Sequence, residues 1–163
     1  METKSIAEKE SEIIEEFSFF PDWHDKYEYI IELGKKLKDI PEDKRVNENK
    51  VKGCQSSVWL ISDLADGKII FTADSDSVIV KGLIALLIRV LSHRTPDEIL
   101  EAKLEFIDAI GLKQHLAGTR ANGLASMIKQ IRMYALAYKA KQEQLQNENT
   151  IIVAQTLMFY IKI

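Results

Sequence analysis

Cysteine is almost missing from this chain: Cys54 is the single one in 163 residues. One thiol cannot close an intramolecular disulfide or build a cysteine-rich metal site. A lone free thiol suits a reducing compartment, so a cytoplasmic location is expected. Histidine is scarce as well. His24, His93 and His115 show no HExxH spacing and no neighbouring cysteine pairs, which argues against a zinc site, and no metal is expected. Seven glycines form neither a Walker loop nor a GxGxxG turn. One thiolate also falls short of the several that hold an iron–sulfur cluster. Positive charge is not in excess. The formal net charge of −3 argues against a nucleic-acid partner. No segment reaches the roughly 20 apolar residues of a membrane-spanning helix, and Met1–Glu10 is too polar for a signal peptide. No membrane partner is expected.

What is present is a globular composition, 46% hydrophobic and 29% charged. The length fits one domain, expected over residues 1–145. Residues 146–163 form a C-terminal tail, apolar from Thr150 on but interrupted by Gln155 and Thr156. It is expected as a strand or short helix against the domain. Ile6, Ile13, Ile14 and Phe17 mark an amphipathic helix. Asp22 caps a second, in which Trp23, Tyr27, Ile30, Ile31, Gly34 and Leu37 recur at helical spacing. Pro41 stops it. Val58–Ile61 and Lys68–Thr72 are β-branched and aromatic, joined by the hairpin signal Asp66-Gly67. A short strand over Asn49–Lys52 completes a predicted three-stranded antiparallel meander, with Cys54 at its first turn. Ser75 or Ser77 caps an apolar central helix ending near residue 91. Thr95-Pro-Asp-Glu98 is a capping box with proline at the first helical position. A short helix ends at Gly111, and Asn122-Gly123 breaks the chain before a last long helix. The fold class is therefore α+β in two layers, helices on one face of a small sheet.

Cys54 is the residue with chemistry to offer. Gly53 permits a sharp turn that stands the thiol at a loop tip. Lys50 and Lys52 bring positive charge that favours a thiolate. Gln55 and Ser56 add polar groups around it. Two readings of such a thiol are a Cys–His hydrolase using His93 or His115 and a thiol redox sensor.

Gly53-Cys-Gln-Ser-Ser-Val-Trp-Leu60 resembles the signature of the SufE family of sulfur acceptors, including its CsdE branch. Further blocks match in order. Trp23, Lys26-Tyr27 and Tyr29–Gly34 resemble the family's N-terminal helix, and Asp74–Ala85 its central block. Gln114-His-Leu116, Arg120 and Gly123-Leu124 resemble its C-terminal block. Ala73, Ala117-Gly118-Thr119 and Ala125-Ser126 depart from the pattern. The resemblance implies a fold of the SufE/NifU-like type and a persulfide shuttle with Cys54 as acceptor. It implies two partners, a PLP-dependent cysteine desulfurase of the SufS or CsdA kind and an iron–sulfur scaffold complex, with no cofactor of its own. A homodimer is a further expectation. Asp74, Asp76, His115 and Arg120 are the candidates for the cysteine's rim or for partner docking. Helix capping is the plainer role for the two aspartates, and a helix-end hydrogen bond the plainer role for His115.

Overall fold

The computed structural model describes residues 4–161. Lys162 and Ile163, the end of the expected tail, lie outside the described residues. The chain opens with two helices, α1 (Ile6–Ser18) and α2 (Trp23–Lys35). Ser5 and Glu8 form a capping box on α1, and the Asp22 carboxylate accepts from Asp25 N at 3.0 Å to start α2. Two single 3₁₀ turns, Glu42–Lys44 and Asn47–Asn49, lead to the hairpin β1 (Val58–Ala65) and β2 (Lys68–Ser75). Helices α3 (Val78–Leu91), α4 (Pro96–Glu101), α5 (Phe106–Ala109), α6 (Leu112–His115) and α7 (Gly118–Ile161) follow.

The sheet has two strands, not three. The segment expected as the first strand makes one isolated bridge, Lys50 to Trp59, and Val51 N donates to Val58 O at 2.8 Å. The 3₁₀ turn ending at Asn49 and the turn at Lys52-Gly53 leave too little extended chain between them to propagate a ladder. In the hairpin, Leu60 pairs with Ala73 and Ser62 with Phe71. Alternation then puts Val58, Leu60, Ile69, Phe71 and Ala73 on one buried face. That face packs against α3, whose Leu83, Ile84 and Leu87 are fully buried, and meets α7 at Tyr134, whose ring lies 6.3 Å from that of Phe71 and whose hydroxyl donates to Leu60 O at 3.3 Å.

Helices α2 and α3 approach at two glycines. A Cβ on Gly82 would sit 2.1 Å from Ile30 O, and one on Gly34 would sit 2.7 Å from Gly82 N. Gly34 is thus more than a member of an apolar stripe. It is half of a backbone contact that no larger residue permits.

The Asn122-Gly123 break does not occur, since α7 runs 44 residues from Gly118. A glycine inside a helix costs about 1 kcal/mol. Burial of Leu124, Met127, Ile131 and Ala135 on the domain outweighs that. Nor does the tail fold back onto the domain. Through Ile161 it continues α7, with residues 143–159 exposed.

Candidate functional site

The turn from Val51 to Val58 is pinned at its base. Ser57 N donates to the Asp76 carboxylate at 3.0 Å, Asp76 N donates to Ser57 O at 3.2 Å, and the Ser75 hydroxyl donates to Ser57 O at 2.8 Å. Between these anchors the chain is held lightly. Among the described residues, the one hydrogen bond made by residues 52–56 is Cys54 Sγ to Gly123 O at 3.6 Å. Gly53 takes φ +89°, a conformation that L side chains rarely adopt. A Cβ there would also lie 2.7 Å from Ser126 Oγ.

The thiol rests half-buried over the first turns of α7. It faces a hollow of about 320 Å³ that Gln55, Ser56, Val80, Arg120, Gly123 and Met127 help to line. Val80 and Met127 supply apolar wall, and Arg120 an exposed guanidinium at the rim. Burial pushes the Cys54 thiol above its ordinary value. This is opposite to the thiolate that Lys50 and Lys52 were expected to favour. Lys50 Nζ instead sits 5.6 Å from the centre of the Trp59 ring. In this arrangement Cys54 is a half-buried thiol.

The expected site residues separate into four placements. Cys54, Gln55, Ser56 and Arg120 meet at the hollow, with Gly53 next to it in the chain at positive φ. Asp76 latches the loop base instead of capping α3, whose N-cap is Ser77. Asp74 is buried beneath the site, paired with Arg45 at 2.5 Å and Lys81 at 3.0 Å. Burial raises its carboxyl pKa, but the Lys81 hydrogen bond, the Ser75 N–H and the Lys81 and Arg45 charges outweigh that and hold it below the usual range. His115 is elsewhere. Its ring stacks on Trp23 at 4.1 Å between centroids, and its Nδ1 lies 3.0 Å from Gly111 O. It does not line the hollow, and neither does His93, which borders a separate hollow beside Lys4 and Arg89. Sequence reasoning did not place Gly123 and Ser126 under the loop. The available signals were the place of Gly123 in the block with Arg120 and a glycine at the start of a strongly periodic helix, where propensity disfavours it.

Comparison with known proteins bears on this arrangement. The sequence pattern of the SufE family, described as a Fe–S metabolism associated domain, matches residues 11–135. An uncharacterized SufE-like protein of Rhizobium meliloti is 43% identical over 129 residues, spanning 76% of this chain and 92% of that protein. A second uncharacterized SufE-like protein, from Synechocystis, is 41% identical over 132 residues, spanning 81% of this chain and 83% of its own. The fold is shared with a hypothetical protein of Thermus thermophilus solved in solution, at TM-score 0.67 and 21% identity over 81% of this chain and 96% of that one. Identity above 40% across most of each relative, together with a family match that takes in the cysteine loop, makes this chain a member of the SufE family, whose domain is associated with Fe–S metabolism.

Proposed function

We propose that the protein is a sulfur carrier for iron–sulfur cluster assembly: Cys54 accepts persulfide sulfur from a PLP-dependent cysteine desulfurase and relays it to a scaffold complex. The observation that carries this reading is the seat of Cys54. A thiol held by one weak sulfur contact, on a glycine-hinged turn with a pinned base, is sheltered at rest and free to swing out.

The chemistry is thiol exchange. Cys54 gives up its proton and its thiolate attacks the terminal sulfur of the donor's cysteine persulfide. The donor's S–S bond breaks and its thiolate leaves, taking up a proton. Cys54 then carries the persulfide, with no net oxidation or reduction. Moving the loop off α7 removes the desolvation that raises the thiol pKa, so activation coincides with docking. Return of the loop to the hollow shields the loaded sulfur from oxidants. Arg120 at the rim and Asp76 at the loop base act on presentation, not on the reacting atoms. The hydrolase reading lacks support, because no imidazole lines the hollow.

The test mixes the protein with a cysteine desulfurase and cysteine, then measures intact mass. One added sulfur on Cys54, removable by reductant, is the expected result, and Cys54→Ser takes up none. Absence of the adduct, or desulfurase stimulation that persists undiminished with Cys54→Ser, overturns the proposal.

A further inference from the structure

Helix α7 outruns the domain that it belongs to. Its inner face is buried through Met127, Ile131 and Ala135. Lys139 pairs with Asp97 at 2.7 Å, and beyond it residues 143–159 are exposed without interruption. This stretch lies past the family match, which ends at residue 135. Thr150-Ile151-Ile152-Val153 has poor intrinsic helix propensity, because branched side chains lose χ1 freedom in a helix. A helix of that length alone in water is marginal. Its own sequence therefore calls for a partner surface.

The exposed side carries a regular seam. Met133, Ala137 and Ala140 lie on it in the domain-bound part, pointing away from the buried face, and Gln144 and Asn147 are at its middle. Ile151, Ala154, Met158 and Ile161 continue it. The steps alternate 4 and 3, the spacing of helices that pair along their length, and all nine positions are exposed. The seam spans residues 133–161, about 42 Å at 1.5 Å per residue.

We propose that this seam pairs antiparallel with the same seam of a second copy of the chain, giving a two-fold symmetric dimer centred midway between Gln144 and Asn147. Three observations choose that occupant. Size fits under antiparallel pairing, since small Ala140 of one copy meets Ile151 of the other, Ala137 meets Ala154, and Met133 meets Met158. Gln144 of one copy then meets Asn147 of the other on either side of the centre, where a polar seam position fixes register. Charge is nearly absent: Glu148 is the single charged residue from Gln144 to Ile161, so two copies do not repel. The same scarcity disfavours a lipid surface, because interfacial helices carry Lys or Arg on the polar face. Nor is any helix among the described residues long and apolar enough to cross a membrane. Exposed Leu136 and Leu157 flank the seam. With them, a pair of this length covers several hundred Å² per copy, approaching the roughly 800 Å² per partner of a standard interface. Contact of the pair leaves the Cys54 hollow uncovered, because that hollow lies against the first turns of α7.

The test is sedimentation equilibrium of the full chain over a concentration series. The expected mass at the upper end is twice 18.6 kDa. Ile151→Glu with Met158→Glu is expected to shift the half-dissociation concentration upward at least tenfold, and Ala137→Glu alone to shift it in the same direction. Circular dichroism of each variant checks that the domain stays folded, which is expected because these side chains are exposed. A full chain that is monomeric throughout overturns the proposal. So does a dimer indifferent to Ile151→Glu with Met158→Glu, and so does one disrupted by that change but not by Ala137→Glu. A monomer that floats with vesicles of mixed neutral and anionic phospholipid overturns it in favour of a membrane surface.

Discussion

Gly53→Ala is the sharpest probe of the cysteine loop. The seated loop holds residue 53 at φ +89°. An L residue in left-handed conformation is disfavoured by roughly 1–2 kcal/mol, and the penalty disappears once the loop leaves its seat and relaxes to negative φ. The new Cβ also meets Ser126 Oγ at 2.7 Å, but that hydroxyl can rotate away, so the dihedral dominates. The unseated population should then rise about 5- to 30-fold, the equilibrium factor for one to two kcal/mol. If alkylation proceeds through the unseated loop, the iodoacetamide rate at Cys54 rises by that factor in the free protein. The pH midpoint of the reaction should fall as well, because burial is what raises the thiol pKa. The assay is pseudo-first-order alkylation followed by intact mass between neutral and alkaline pH, with thermal unfolding as the control for global damage. A rate unchanged from the parent protein, with the fold intact, refutes the argument that the glycine holds the thiol in its resting seat.

Two further outcomes follow from packing and charge. Gly82→Ala places a methyl carbon 2.1 Å from Ile30 O, so α2 must shift away from α3. Overpacking of this kind costs about 1–3 kcal/mol. A drop in Tm of roughly 2–12 °C is expected by calorimetry, at 2–4 °C per kcal/mol for this size, and an unchanged Tm would show that the helices separate freely. Asp74→Asn removes a buried anion from Arg45 and Lys81. It should destabilise the protein by about 2 kcal/mol at neutral pH, below the range for a fully buried pair because both cations are partly exposed. The Asp74 pKa is lowered on folding, so its stabilisation is complete above the unfolded value near 3.9 and lost as pH falls through the folded one. Urea unfolding of parent and variant should therefore converge in acid below about pH 4. Equal gaps at pH 7 and in acid would contradict the pairing.

The alternating and helical periods, the capping residues and the Asp66-Gly67 turn are local signals, and they placed the hairpin, α2, α3 and α4 correctly. Cys54, Gln55 and Ser56 were legible as a site for the same reason: they are neighbours in sequence. Arg120 was legible through family resemblance alone. The expected third strand failed because bridge formation at Lys50 depends on how far two turns let the chain extend. The expected break at Asn122-Gly123 failed because burial of Leu124, Met127 and Ile131 outweighs a helix-interior glycine.

The amino-acid order alone thus determined the hairpin, α2, α3 and α4, and that one sulfur sits on a tight turn. Tertiary structure decided the rest. It set that sulfur on Gly123, turned its pKa upward through desolvation, made Asp76 a latch and Asp74 a buried ion-pair centre, and moved His115 away to Trp23. Desolvation and pairing depend on which distant residues come within a few ångströms, and sequence distance carries no record of that.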